Sequence, residues 1–304
     1  MLIEQNYCQY LRPGISPVND GKNRVYLSEC YEYFCNNGSG NFSIKYPVQG
    51  KVYFETGTGA YDLRPGSFLL SAGQAGKCII ESPDPVRWIS IEIQRATFVE
   101  AFQLLSAGDA PGIYDFGPGH FFSEHYFENV YPIDHSDLGK ILARLANLFT
   151  NGIGTSIKIN SDSFLELAIL VIKRELANQE SLRHLSSIKN GTKKETLKRL
   201  LKGKNYIDDY FLKKPGITQI ARHSNLSSFH FLRSFKLAFS FSPYQYMLQK
   251  RMEYAQSLLK AGIPITEIAS ACSFSDLFTF SKAFKKFFGV SPTKYLKSDP
   301  LQMV

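Results

Sequence analysis

Two hydrophobic patterns divide the chain. Between Val25 and Ile93, aromatic and β-branched residues come in short runs broken by Gly, Pro and Asn. The runs at 25–34, 42–46, 51–56, 61–70, 78–81 and 86–93 predict strands. The cluster at 36–41, Gly57–Thr58–Gly59 and Pro65–Gly66 supply turns, the last inside the 61–70 run. Closely spaced strands of this kind predict an antiparallel sandwich or barrel over residues 1 to about 130.

Beyond that the apolar period lengthens to that of a helix. Leu138, Ile141, Leu142, Leu145 and Leu148 share one helical face, and Ser136 and Asp137 are placed to cap it. Leu167, Leu170, Val171 and Arg174 follow in a second helix expected over 164–178. Either stripe can cover the sheet or meet a second subunit. Residues 186–194 lose all apolar periodicity and read as a linker. From Glu195 onward every pattern is helical.

The last third repeats itself. Phe231, Phe235, Lys236, Phe239, Ser242, Pro243 and Tyr246 recur 49 positions later as Phe280, Phe284, Lys285, Phe288, Ser291, Pro292 and Tyr295. Upstream the offset is 48, with Ile220 and Ala221 matching Ile268 and Ala269, so the second copy carries one extra residue near Asp276. Such a period marks a duplicated structural unit. Each copy predicts a short helix, a tight turn and a second helix, with Ser227 and Ser275 as N-caps. A helix expected over 244–261 joins the copies, and Gly262 sits where a helix-ending glycine belongs.

Charge sharpens this division. Residues 193–297 hold 19 of the 35 Lys/Arg and 6 of the 27 Asp/Glu, a net of +13 against −5 elsewhere. The C-terminal part therefore suits a polyanion. The chain has no apolar run near the roughly 20 residues of a membrane span, and its N-terminus lacks a signal-peptide pattern, which predicts a cytoplasmic protein. Its five cysteines, at 8, 30, 35, 78 and 272, show no metal-type spacing and read as reduced thiols.

A short helix, tight turn and second helix make a helix-turn-helix, whose second helix turns one face to the core and one to a DNA major groove. Phe231 and Phe235 point inward, as do Phe280 and Phe284; Ser228, Phe229, Leu232, Arg233 and Lys236 lie outward in the first copy. Phe278, Ser281, Lys282 and Lys285 do so in the second. The Arg233 guanidinium suits bidentate contact with guanine, and Phe229 and Leu232 suit thymine methyls. Lys236, Lys282 and Lys285 suit phosphates. Core packing remains the alternative for Phe229 and Phe278.

These residues resemble the AraC/XylS family of transcriptional regulators over about 196–297. Residues 265–295 follow the family signature almost position for position, with Ser273 where the family usually has Gly. The resemblance implies that Phe229, Leu232 and Arg233, and Leu277, Phe278, Ser281 and Lys282, face DNA. It implies double-stranded DNA as partner, and RNA polymerase as well if the protein activates.

The N-terminal module is similar in outline to the family's cupin-like sensor barrel. No His occurs before His120, so strand-borne metal ligands are missing and neither a metal, a cofactor nor a catalytic residue is expected. His120, His125 and His135 read as surface or packing residues. A barrel interior lined by some of Tyr31, Tyr33, Phe42, Tyr46, Phe54 and Trp88 would take a small, partly apolar effector. The expected fold class is therefore α+β. A cupin-like β-barrel or sandwich with two flanking helices occupies 1–185, a linker 186–194, and an all-α domain of two helix-turn-helix units 195–304. The expected function is a non-enzymatic, homodimeric DNA-binding regulator, an activator by expectation, that senses a small effector. The alternatives are an N-terminal domain that binds a regulatory protein, and a cupin-type enzyme or repair methyltransferase fused to a DNA-binding module.

Overall fold

In the computed structural model, residues 3–7, 22–35, 40–72, 77–108, 112–134, 136–151, 160–185 and 190–298 are described. The chain divides into two compact units, Met1–Gln179 and Glu180–Val304, treated separately below.

The first unit is built on one eight-stranded, nearly closed sheet. Its strands are β1 (Ile3–Tyr7), β2 (Arg24–Cys35), β3 (Phe42–Gln49), β4 (Val52–Thr56), β5 (Gly59–Leu63), β6 (Ser67–Ser71), β7 (Lys77–Ile93) and β8 (Asn129–Pro132). The path runs β1-β2-β7-β3-β6-β8, and β4 pairs with both β5 and β7. All pairings are antiparallel except β1 with β2.

Strand β7 corrects the expectation of two strands at 78–81 and 86–93. Its backbone is extended from Lys77 to Ile93, although Ser82–Pro83–Asp84–Pro85 reads as a break. The break survives in the ladder: Cys30 pairs with Val86 and Glu32 with Glu81, so four residues of β7 oppose Tyr31 alone. Pro83 and Pro85 have no N–H to donate, and the irregularity falls where none is needed.

Both faces of the sheet are buried. One carries Cys30, Phe54, Tyr61, Leu69, Val86 and Trp88 in an inner cluster. The other carries Val25, Leu27, Phe42, Ile44, Ile89 and Ile91, and meets helix α1 (Arg95–Ala107) and the 3-10 turn Pro118–Phe122 through Phe98 and Phe121. Helix α1 was not expected from the sequence.

Helices α2 (Asp137–Thr150) and α3 (Ser161–His184) follow. Ser136 caps α2 by accepting Gly139 N–H at 3.0 Å. A Cβ on Gly139 would lie 1.8 Å from the Ile133 carbonyl oxygen, so only glycine allows this approach. Leu138, Leu142, Leu145 and Phe149 of α2, and Phe164, Leu167 and Val171 of α3, are buried within the single chain. Most of each expected stripe is therefore used in intrachain packing, while Ile141, Leu148 and Leu170 stay half-buried.

Two buried carboxylates of this unit are well supplied with partners. Glu128 accepts from Ser71 Oγ at 2.7 Å, Ala72 N at 2.9 Å and Thr56 Oγ1 at 2.6 Å, and from the Thr58 hydroxyl. Burial pushes its pKa up, but these donors outweigh burial and hold it below the usual glutamate value. The fully buried Glu175 carboxylate meets His120 Nε2 at 2.7 Å and accepts from Asn178 at 3.2 Å and Gln179 at 2.7 Å.

The second unit is helical. Helix α4 (Asn190–Tyr210) is followed by a 3-10 turn (Phe211–Lys213), α5 (Ile217–His223), α6 (Ser228–Phe239), α7 (Pro243–Lys260), α8 (Ile265–Ala271), α9 (Leu277–Phe288) and α10 (Pro292–Ser298). The expected linker is corrected in part, because 190–194 is already helix. Thr196 and Leu197 are buried and anchor α4, which extends more than a turn ahead of them into polar sequence. Residues 186–189 lie outside the described residues.

Candidate nucleic-acid interface

The first helix-turn-helix is α5 and α6. Asn225 turns the chain in the left-handed region at φ 52°, and Leu226 N–H donates to the Ala221 carbonyl at 2.9 Å. Small Ala221 is buried at this crossing. Ser227 then caps α6, its hydroxyl accepting His230 N–H at 3.3 Å. Phe231 and Phe235 are fully buried, and α4 closes over them at Gly203. A Cβ there would come within 2.4 Å of Ser224 Oγ and 2.5 Å of the Phe231 ring.

The second is α8 and α9. Ser273 takes the left-handed turn at φ 60°, and Phe274 N–H donates to Ala269 O at 2.9 Å. The Ser273 hydroxyl donates to the Leu212 carbonyl. That bond fixes the second turn to the segment preceding the first unit. Phe280 and Phe284 are fully buried beside Cys272, whose thiol burial pushes up to about 11. Further along α9, Phe288 packs on Phe284 while Phe287 is exposed.

The cap of α9 is a correction. Ser275 was expected, but Asp276 does the work: its carboxylate accepts Thr279 N–H at 2.7 Å and Thr279 Oγ1 at 2.8 Å. Ser275 instead donates to Asp276 Oδ2 at 2.8 Å. The Thr279 N–H, helped by the Ser275 and Thr279 hydroxyls, lowers the Asp276 pKa. The extra residue of the second copy moves the cap on by one, and aspartate suits the positive end of a helix.

Helix α7 joins the two. Ser242 and Gln245 form a capping box at its start, with Pro243 at the first helical position. Gly262, at φ 77°, ends it as expected. Tyr246 donates to buried Asp208 at 2.6 Å, with Lys204 and Lys250 at 3.7 and 3.6 Å from that carboxylate. Burial, then the Asp208 charge, pushes the Tyr246 hydroxyl far above its ordinary pKa. Arg251 Nε donates to Phe211 O at 3.0 Å, a second tie between α7 and the segment before α5.

The outward face holds the expected residues. Phe229, Arg233 and Lys236 are exposed on α6, with Ser228 and Leu232 half-buried. Leu277, Phe278, Lys282 and Lys285 are exposed on α9, with Ser281 half-buried. The alternative of core packing is removed for two residues: Phe229 is 75% and Phe278 77% exposed. The pattern missed Asp276, for which the aspartate three positions before Thr279 was the available signal.

The six residues expected around an effector do not come together. Tyr33 and Trp88 pack with ring centroids 5.4 Å apart and belong, with Phe54, to the inner cluster. Phe42 lies on the opposite face among Phe98, Phe121 and Tyr126. Tyr46 shares that strand face, two positions along at each step from Phe42 through Ile44. Tyr31 is exposed opposite the β7 irregularity. His120 packs among aromatic rings, His125 is exposed, and His135 lies outside the described residues. Among the described residues, no group of three or more His, Cys, Asp or Glu could hold a metal ion. No described helix is long and apolar enough to cross a membrane.

Comparison with known proteins matches residues 220–298 to a helix-turn-helix domain family. The chain is 34% identical over 92 residues to the probable transcriptional regulator LumQ of Photobacterium leiognathi, covering 30% of this chain and 37% of that one. This match therefore spans little more than a third of the relative. It is 24% identical over 251 residues to the virulence regulon transcriptional activator VirF of Yersinia enterocolitica, covering 81% and 86%. The crystal structure of ToxT from Vibrio cholerae O395 superposes with a TM-score of 0.34 at 15% identity, over 93% of this chain and 98% of that one. Residues 220–298 form an AraC-type helix-turn-helix domain, the DNA-binding domain of the AraC/XylS family.

Proposed function

We propose that the protein is a sequence-specific DNA-binding transcriptional regulator that acts in the cytoplasm and carries out no catalytic step. One observation carries this reading: the duplicated helix-turn-helix, each copy with its aromatic pair buried and a basic face turned outward. Arg233 reads a base edge, Ser228, Leu232, Leu277 and Ser281 line the contact, and Lys236, Lys282 and Lys285 hold phosphates. Helix α7, of 18 residues, is about 27 Å long at 1.5 Å per residue. That suits two readers placed in successive major grooves about 34 Å apart.

The sheet unit senses a small effector and changes how the readers are presented. The inner cluster around Tyr33, Phe54 and Trp88 supports an apolar site, with the Lys45 amine 4.5 Å from the Phe54 ring centroid as its polar contact. Activation is supported by the name of the Yersinia relative, a transcriptional activator, and would make RNA polymerase a further partner. Half-exposed Ile141, Leu148, Ile169 and Leu170 remain available for homodimer contact through α2 and α3.

The test is selection of duplexes from a random pool by the full chain, followed by footprinting. One enriched site protected over two successive groove faces supports the reading; no enriched sequence sinks it. A metabolite screen by thermal shift addresses sensing, because a ligand bound only by the folded state raises Tm.

A further inference from the structure

Phe229 and Phe278 are the two most exposed large apolar side chains among the described residues. Each is the second residue of its 12-residue recognition helix, and they stand 49 positions apart in the repeat. Each directly follows the capped turn and precedes the buried phenylalanine, Phe231 or Phe280, that anchors the helix. Neither ring serves the core, yet both copies of the unit place one at the helix N-terminus. That end of a recognition helix is the part that contacts base edges.

The chemistry of the groove narrows what such a ring can read. A phenyl ring offers no hydrogen-bond donor or acceptor. In the major groove the one apolar group a base pair displays is the C5-methyl of thymine. Exposed Arg233 and Lys236 lie about one and two turns further along α6, and exposed Lys282 and Lys285 do so along α9. Each ring thus shares its outward face with cations, joined on α9 by the Asp276 cap, and this suits a polyanion better than the apolar face of a protein. Leu232 and Ser281, the other candidates for apolar or mixed contact, are half-buried and differ between the copies.

We propose that Phe229 and Phe278 are matched thymine readers, so that the operator carries a thymine at the equivalent place in each half-site. The proposal rests on the regulator reading and adds base identity to it. Arg233 brings a planar guanidinium fork to the first half-site where Lys282 brings a compact ammonium to the second, so the phenyl ring and its thymine are what the two half-sites share.

The test uses the full chain and the duplex it selects. Each thymine of the site is replaced singly by deoxyuridine, which removes the methyl and keeps every hydrogen-bonding group. The expected result is about a fourfold loss of affinity at one thymine per half-site, the factor that corresponds to about 0.8 kcal/mol for one buried methyl. F229A should abolish the loss in one half-site only, and F278A in the other only. Phe229→Leu should retain part of it. Because both rings are exposed, unchanged circular dichroism and Tm are expected and serve as the folding control.

Tolerance of uracil throughout a selected site would overturn the methyl reading and leave the regulator reading standing. So would a uracil penalty that persists undiminished in both alanine variants. Failure to enrich any sequence overturns both.

Discussion

The Asp276 carboxylate accepts the Thr279 backbone N–H at 2.7 Å, where the first unit uses the neutral Ser227 hydroxyl on His230 N–H at 3.3 Å. The two recognition helices therefore start with different charges. Asp276→Ala should lower Tm and Asp276→Ser should restore most of it, because serine caps as well as aspartate. Asp276→Asn keeps the cap and removes a negative charge near the DNA, so binding to random duplex should tighten at low salt. Unchanged affinity would place Asp276 away from the phosphates.

Arg233 is exposed on the outward face of α6. Arg233→Ala should weaken the selected operator by about 1–3 kcal/mol and relax preference at one base pair. Lys282→Ala should weaken all duplexes alike and reduce the salt dependence by about one phosphate contact. Titrations at several salt concentrations separate the two, and equal loss on random DNA would show that Arg233 serves only phosphates.

Gly203 has no room for a side chain, since a Cβ would meet the Phe231 ring at 2.5 Å. Gly203→Ala is expected to destabilise the DNA-binding unit by about 1–3 kcal/mol through overpacking, although alanine is the better helix former. A raised Tm in calorimetry would show that α4 moves aside without cost.

Ser273 holds a left-handed backbone and donates to Leu212 O. Ser273→Gly relieves a conformational cost of about 1 kcal/mol and loses a hydrogen bond of about the same worth, so stability should barely change. Ser273→Ala loses the bond and keeps the cost, and should be the less stable variant. Denaturant midpoints give the order directly.

Glu128 has a folded-state pKa below its unfolded value. Its stabilisation is therefore complete above the ordinary glutamate pKa, near 4.3, and is lost as pH falls through the lower folded value. Acid unfolding should steepen below about pH 4.3. Glu128→Gln should remove that component and destabilise the sheet unit at neutral pH by about 1–3 kcal/mol, because buried hydroxyl donors lose a charged acceptor. A pH profile that Glu128→Gln leaves unaltered would show that other carboxylates dominate.

The helical unit was legible because the repeat lets one copy check the other. Phe231, Phe235, Phe280 and Phe284 could be assigned inward from helical spacing alone, and all four are fully buried. Cap positions were less legible: the repeat pointed to Ser275, and the extra residue puts the cap on Asp276 instead. The sheet unit was harder for a physical reason. Strand β3 buries Phe42, Ser43 and Ile44 in succession, so alternation could not show which face each side chain takes. Phe42 was accordingly grouped with Phe54 and Trp88, which lie on the other side. Helix α1 escaped because only Thr97, Phe98, Ala101 and Phe102 of its 13 residues are buried, a stripe too brief to stand out from the preceding strand.

Strand β7 also sets an order of assembly. It pairs with β2, β3 and β4, all of which precede it in the chain, so none has that central neighbour until β7 has been synthesised. Arg24 waits for Glu92, an interval on the order of several seconds at about 5–20 residues per second. In the helical unit α5 meets α6 and α8 meets α9 soon after emerging, although Leu212 still waits for Ser273. Until β7 has been made, β2, β3 and β4 each present an open edge to other chains, the feature that invites edge-to-edge pairing.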